Sequence, residues 1–254
     1  MESMARVLAN LALVVAVVAI LAVALPGPFY RFGLTDLSVA FGMMKYGAFA
    51  GMLGGGLGLI GLVVSRIAHR PGSAVRAVLG LVLGGVAWGI PYAMLRKAES
   101  LPVIHDITTD VVNPPQFQPD VLALRAAAHA VNSTVYAGAS VAALQEKAYP
   151  DIRTMTFDLP VARVFDAARR TADALGWKRV SADPRTGLIE ASDTTFWFGF
   201  TDDVVIRVEP SGSGSRLDIR SESRVGESDL GKNAQRIRAF RAALDARLGR
   251  ATRR

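Results

Sequence analysis

Three long apolar runs in the first 95 residues restrict this chain more than any other feature. Residues 7–25 hold 19 positions without a charge; residues 41–64 hold one charge, Lys45, and residues 75–95 hold one, Arg76. About 20 apolar residues in a helix cross a hydrocarbon core of about 30 Å. One such run can be a buried helix in a soluble domain, but three in succession argue for a membrane. Residues 1–97 are therefore predicted to be a multi-pass membrane domain with three transmembrane helices, at about 7–25, 41–64 and 75–95. A hydrophobic fraction of 51% and a mean hydropathy of +0.30 agree.

The first run has a second reading. Arg6, an apolar stretch and Ala22-Val23-Ala24 resemble a signal peptide with a small-residue cleavage site. The run is long for a signal peptide, which favours an uncleaved helix. The second run carries the small-xxx-small pairs Gly47/Gly51, Gly51/Gly55 and Gly54/Gly58, and the third carries Gly80/Gly84 and Gly85/Gly89. Such faces let helix backbones approach closely in lipid. They serve packing within the chain or, as the sharper alternative, a homodimer. The runs contain no acid or histidine to mark an ion path, and Lys45 is near enough to an end to snorkel. The loop between the second and third runs holds Arg66, His69 and Arg70 and no acid. That bias marks it as cytoplasmic and puts the C-terminal domain outside, although Arg96 and Lys97 pull the other way. The expected location is a bacterial inner membrane with a periplasmic domain.

The pI of about 10.1 invites a nucleic-acid reading, but the charge is unevenly placed. Residues 1–98 carry 8 basic and 2 acidic side chains, residues 99–231 carry 13 and 19, and residues 232–254 carry 8 and 1. The body of the soluble part is acidic, so a phosphate-binding groove is not expected there. The absence of cysteine removes disulfides, thiol catalysis and Cys-based metal sites.

Residues 98–150 read as an extended connector with short helices. Pro102, Pro114 and Pro115 resist helix, Asp120 is placed to cap a helix over 121–130, and a second helix fits 140–148. His105, Asp106 and Asp110 faintly resemble metal ligands, but their spacing lacks the convergence a metal needs, and no metal or cofactor is expected. Residues 151–249 read as an α+β domain of order β-α-β-β-β-β-α, an antiparallel sheet with helices on one face. Asp158 is expected to cap its first helix, whose apolar stripe is Val161, Val164, Phe165, Ala168, Ala172 and Leu175. A strand is expected across 196–208, interrupted at 201–203. Residues 250–254 form a basic tail.

Candidate sites follow from that frame. The cluster 196–200 contains four aromatics in five residues, so Trp197 and Phe198 are candidates for contact with a lipid-like ligand or the bilayer, against the plainer reading of core packing. Asp202-Asp203 is a paired carboxylate, but neighbours on a strand point to opposite faces and do not form a dyad. Along 218–224, Asp218, Arg220, Glu222 and Arg224 alternate as a charge ladder able to pair locally, while Ser221 and Ser223 share the other face with Leu217 and Ile219. Ser228 or Asp229 is placed to cap the last helix, near Asn233. Neither a catalytic triad nor a phosphate loop, dinucleotide fingerprint or zinc-hydrolase signature is readable.

These residues carry a family resemblance. Gly199-Phe200-Thr201-Asp202-Asp203-Val204, followed by the run from Ile219 to Ile237, is similar to the C-terminal signature of the domain of unknown function 1499 family. That signature runs F-x-D-D-V, then R-S-x-S-R-x-G-x-S-D-L-G-x-N-x-x-R-I. The likeness spans roughly residues 105–248, and the three runs match the membrane-anchored architecture of some members. Many members open the domain with a cysteine-containing stretch before an Asn/Ser-Ser segment; here there is no cysteine and Asn132-Ser133 is a remnant. The resemblance implies no activity. The reading favoured is a non-enzymatic, membrane-anchored extracytoplasmic module that binds an envelope protein or a lipid-like ligand, with Trp197, Phe198, Asp202, Asp203, Arg220, Ser221, Ser223, Arg224, Asp229 and Asn233 as candidate binding residues. The alternative is an envelope hydrolase in which Asp202, Asp203 or Asp229 acts with Arg220 and Arg224 in one cleft.

Overall fold

A computed structural model describes residues 1–249; the basic tail at 250–254 lies outside the described residues. The chain divides into two compact units. One is Met1–Glu99 together with Phe196–Gly199, and the other is Ser100–Thr195 together with the described residues from Phe200 onward.

The first unit contains α1 (Glu2–Ala24), α2 (Pro26–Arg31), α3 (Leu37–Ile67) and α4 (Pro71–Glu99). Asp36 caps α3, its carboxylate accepting from the Val39 N–H at 2.8 Å. The three long helices are each long and apolar enough to cross a membrane. α1 buries Ala5, Ala9, Ala12, Ala16, Ala19 and Val23, alternating steps of four and three along one face. The glycine faces of α3 and α4 meet this alanine stripe and each other. A Cβ on Gly58 would stand 2.5 Å from the Leu81 nitrogen, and one on Gly80 would stand 2.9 Å from the Ala12 carbonyl carbon. Gly47, Gly51, Gly54, Gly58, Gly80 and Gly84 thus pack within the chain, as one of the two sequence readings has it, whereas Gly85 and Gly89 face open space. The alanine partner stripe is a feature that a search for glycine pairs overlooks. Large aliphatics point outward: Val14 is 60% exposed, Leu53 58% and Val82 55%. Small residues inside and large apolar ones outside invert the order of a water-soluble bundle.

The predicted strand over 196–200 is not formed. Residues 196–199 make a turn, with Gly199 at φ +72°, and the strand begins at Thr201. Thr195 closes the turn. Its N–H donates to the Phe200 carbonyl at 2.8 Å, and its Oγ1 accepts from the Phe200 N–H at 2.9 Å. Asp202 and Asp203 consequently lie within a continuous strand rather than at a break.

The second unit runs β1 (Asp106–Thr108), α5 (Pro119–Ala127), α6 (Ala139–Ala148), β2 (Met155–Phe157), α7 (Val161–Ala174), β3 (Lys178–Asp183), β4 (Leu188–Thr194), β5 (Thr201–Ser211), β6 (Gly214–Ser223) and α8 (Lys232–Arg247). Every strand pairing is antiparallel, in the order β1-β6-β5-β4-β3, with β2 also pairing β6. β1 belongs to the segment expected to be a connector only. Its three residues pair with Glu222, Ser221 and Arg220. Two caps also differ from expectation. Gln118 occupies the cap of α5, because Pro119 already stands at its first position, and Pro160 rather than Asp158 precedes α7.

Helices on one face were expected, but both faces are covered. Val204, Ile206, Val208, Leu217 and Ile219 join the core with α7 and α8, including Phe165, Ala168, Ile237 and Phe240. Val205, on the opposite face, packs with Phe117 and Val121 from the connector and α5. The central stretches of β5 and β6 are therefore buried on both sides, and Asp202, Asp203, Asp218, Arg220 and Glu222 must find partners inside the protein.

Candidate functional site

β6 distributes the signature residues between two polar networks, one on each face of the sheet. Period-two alternation does the sorting. Asp218, Arg220 and Glu222 face α5 and the connector, while Ser221 and Ser223 face α8. β5 divides its acid pair in the same way, with Asp203 on the α5 side and Asp202 on the α8 side.

On the α5 side, Arg220 is fully buried and grips Asp106 of β1 with two hydrogen bonds of 2.9 and 2.8 Å. Its guanidinium carbon lies 5.1 Å from the centroid of Phe117 and 5.7 Å from that of Tyr136. Asp203 accepts from Arg125 at 2.9 Å, from Arg224 at 2.8 and 2.7 Å, and from Ser192 at 2.7 Å. Arg125 also donates to Glu222 Oε1 at 3.0 Å and to the Asn132 carbonyl at 2.9 Å. Asn132 in turn donates to the carbonyls of Ser223 and Gly226, both at 2.9 Å. Farther along the same face, Asp218 accepts from Thr109 at 3.1 Å and Thr154 at 2.6 Å, and Arg207 joins it to Asp110. The charge ladder on β6 is thus satisfied mainly from other elements; the contact expected within it, Arg220 to Glu222, is 3.6 Å long.

Three atoms on this face lack hydrogen-bond partners: Glu222 Oε2, the Tyr136 hydroxyl and Arg207 Nε, the last of which forms an ion pair with Glu209 at 3.3 Å. Burial, reinforced by the neighbouring Asp106 carboxylate, pushes Glu222 up to about 8, above the usual carboxylate range. Burial likewise pushes the Tyr136 phenol up to about 12. The rise favours the protonated acid at neutral pH, and Oε2 is the oxygen without a hydrogen-bond partner.

On the α8 side, Asn233 is the hub. Its Oδ1 accepts from Ser221 at 2.7 Å and Arg236 at 2.6 Å, and its Nδ2 donates to the His105 carbonyl at 2.8 Å and to Ser223 at 3.0 Å. Arg236 continues to Asp193 at 2.7 Å and Asp202 at 2.6 Å. Asp229 caps α8 in substance: its two oxygens accept from the N–H groups of Gly231 and Asn233, each at 2.7 Å. Between them the chain turns left-handed at Leu230, φ +52°, and Gly231, φ +77°. The D-L-G-x-N stretch is therefore a helix entry, with glycine where φ is positive and aspartate where N–H groups need an acceptor.

A family model described as "Protein of unknown function (DUF1499)" matches residues 106–244, more than half of the chain. The chain belongs to the DUF1499 family. The matched segment begins at β1 and ends inside α8, so it contains both networks of this DUF1499 domain, and α1 to α4 lie outside it. No curated protein matches the sequence. A solved structure titled "Crystal structure of Ara h 8.0201" aligns over 38% of this chain and 95% of that chain, at 14% identity and a TM-score of 0.21. A superposition that loose carries no argument about fold or function.

The predicted site residues fall into three groups. Asp203, Arg220 and Arg224 lie together on the α5 side. Asp202, Ser221, Ser223 and Asn233 lie together on the α8 side, with Asp229 at the helix entry. Trp197 and Phe198 belong to the other unit. There the Trp197 Nε1 donates to the Ala24 carbonyl at 3.0 Å, and Phe198, 5% exposed, sits 5.6 Å from Phe41 and 6.0 Å from Tyr30, centroid to centroid. The exposed ring of the cluster is Phe196, 90% exposed. Arg125, Asn132, Ser192, Asp193 and Arg236 are network members that sequence reasoning missed. Arg125 had a signal: it stands four residues after Val121, on the same helix face, and both are buried. Asp106 and Asp110, considered as metal ligands, serve Arg220 and Arg207.

Proposed function

We propose that this DUF1499 protein is a non-enzymatic module of a bacterial envelope, held in the inner membrane by three spans, with the sheet domain in the periplasm. The observation that carries this reading is the closure of the two networks. Asp203, Arg224, Arg220, Asp202 and Arg236 are bound to one another or to neighbouring strands, so the signature's charges hold the fold. The hydrolase alternative has Asp202, Asp203 or Asp229 acting with Arg220 and Arg224 in one cleft; Asp202 pairs with Arg236 under α8, on the face opposite Arg224, Asp229 accepts from the N–H groups at the entry to α8, and Asp203, on the face of Arg224, is fully buried and engaged by Arg125, Arg224 and Ser192. The inverted helical unit, with small residues inside and aliphatics outside, supports the membrane part.

A signature spent on structure leaves recognition to the surface. The strap between α5 and α6 displays Val131 and Val135, 76% and 78% exposed, on either side of the Asn132 strut. This apolar display replaces Trp197 and Phe198 as the proposed contact for an envelope protein or lipid-like ligand. The test is purification of the full chain with its native lipids, followed by mass spectrometry of whatever stays bound. A component retained by the natural protein and lost from V131S/V135S, with thermal stability unchanged, is the expected result. Retention by the double variant sinks the surface assignment. Conversion of added envelope material by the purified chain overturns the non-enzymatic reading.

A further inference from the structure

The turn at 196–199 lies between β4 and β5 in sequence, yet it belongs to the helical unit, and a missing backbone donor explains what holds it there. In a continuous helix the Ala24 carbonyl would accept from the N–H of residue 28, but that residue is a proline and has none. The helical path does run on, because the Phe29 N–H reaches the Leu25 carbonyl at 2.9 Å. The Trp197 indole N–H supplies the missing donor at 3.0 Å. Gly27 leaves room for the indole; a Cβ there would stand 2.5 Å from its Cδ1. Beside it, the Arg31 guanidinium donates to the Phe196 carbonyl and lies 5.7 Å from the centroid of the Phe196 ring. A carbonyl without a donor is costly where water is scarce, so this pairing suits the end of a span. With Trp197 and Phe198 held inward, the Phe196 ring is left outward.

The helices fix the level of that ring. The charges of α3 are Lys45 and Arg66, 21 positions apart. At 1.5 Å per residue they bracket about 32 Å, close to a hydrocarbon core of about 30 Å. A Cβ on Gly61 would stand 3.4 Å from the Ala9 nitrogen and one on Gly47 3.0 Å from the Ala22 Cβ, so α1 and α3 are antiparallel and Lys45 is level with Ala24. A Cβ on Gly51 would stand 2.9 Å from the Trp88 nitrogen, which brings Tyr92, one turn on, near the same level. Exposed Tyr46 and Tyr92 thus mark this level as aromatic belts mark a membrane boundary. Phe41, which packs on Phe198, is one turn farther out, about 6 Å.

We propose that the 196–199 turn is an interfacial anchor whose Phe196 ring, with Phe32 and Leu34, lies in the headgroup layer of the bilayer. Phe32 and Leu34 are 74% and 71% exposed in the segment that follows Arg31. The polar layers add about 5–8 Å to each side of the hydrocarbon, which is the depth the helices assign to the turn. Lipid is the occupant because the surface continues the outward apolar face of α3 through Val39 and Phe41. The inference rests on the reading that α1, α3 and α4 cross a bilayer.

The chain has no cysteine, so F196C or L53C provides a single thiol for a nitroxide spin label. The full labelled chain is placed in phosphatidylcholine nanodiscs, and its relaxation is measured with nickel chelated on lipid headgroups, with a soluble nickel chelate and with oxygen. The F196C label is expected to respond to headgroup nickel, and the L53C label, on the outward face of α3, to oxygen alone. An F196C label that responds to soluble nickel and not to headgroup nickel, with L53C in the hydrocarbon, overturns the proposal alone. One that responds only to oxygen is too deep and also overturns it. An L53C label open to soluble nickel refutes the membrane reading and this proposal with it. W197F keeps a ring and removes the N–H. Stranding the Ala24 carbonyl should shift the turn about tenfold toward a released form, read as loss of the headgroup-nickel response at F196C while L53C is unchanged. A response at F196C that W197F leaves intact overturns the role given to the indole.

Discussion

Replacing Glu222 with glutamine should remove a pH dependence that the natural domain carries. Glu222 is completely buried, and its ordinary value of 4.5 is raised to about 8. Between those two values the folded chain holds a proton that the unfolded chain has released. Folding stability therefore falls as pH rises through this window: the contribution is complete below about 4.5, declines toward 8 and is gone above it. Each pH unit is worth about 1.4 kcal/mol, so the window from 4.5 to about 8 spans on the order of 5 kcal/mol. Glutamine has nearly the shape of the protonated acid and does not titrate. E222Q should match the natural protein at pH 5 and exceed it by on the order of 3 kcal/mol near pH 8. Urea unfolding of the full chain in detergent can measure this in a W88F/W197F background, where the remaining Trp177, stacked 5.5 Å from Phe240, reports on the sheet unit. The raised carboxylates Glu190 and Asp229 also contribute, so the quantity to read is the difference between the two proteins. Parallel curves for E222Q and the natural chain from pH 5 to 8 would refute the reasoning.

Other outcomes follow from the same contacts. R125M removes the cation shared by Asp203 and Glu222 and should cost about 3–5 kcal/mol by urea unfolding, because the fully buried Asp203 loses one of its two cations. N233L deletes the hub between Ser221, Ser223 and Arg236 and should cost about 2–4 kcal/mol, with early loss of amide protection in α8. G58L should break the α3–α4 contact and lower the yield of folded protein in detergent, whereas G56L, where a Cβ meets open space, should be tolerated; similar yields from both would count against the helix packing. A reporter fused near residue 249 should be active in the periplasm and silent in the cytoplasm; the reverse pattern would invert the proposed orientation.

The helices and the strand order from β2 to α8 were legible because apolar periodicity and turn residues report directly on them. The aromatic cluster at 196–200 misled. Its β-propensity suggests a strand, but Gly199 at φ +72° and the Thr195 hydroxyl turn the chain there. β1 was obscured for a different reason: three residues between prolines are too few to show alternation. The signature residues were visible by type, and their division between two faces followed from period two. Their partners were not visible, because Asp106 and Arg125 reach Arg220, Asp203 and Glu222 across 78 to 114 positions of chain.

The two-sided burial of β6 also limits how this gene can change length. Alternate positions belong to different environments, an ionic one beneath α5 and an apolar and hydroxyl one beneath α8. Adding or deleting one residue inside β6, ahead of Ile219, would exchange the two sets beyond it, bringing Arg220 and Glu222 against Phe240 and presenting Ile219 to Asp106. Two-residue changes preserve the alternation. Length variants within β6 that still fold should therefore differ from this chain by even numbers, whereas the turn at 212–213 should accept odd ones, a parity rule that a small insertion library can read from expression alone.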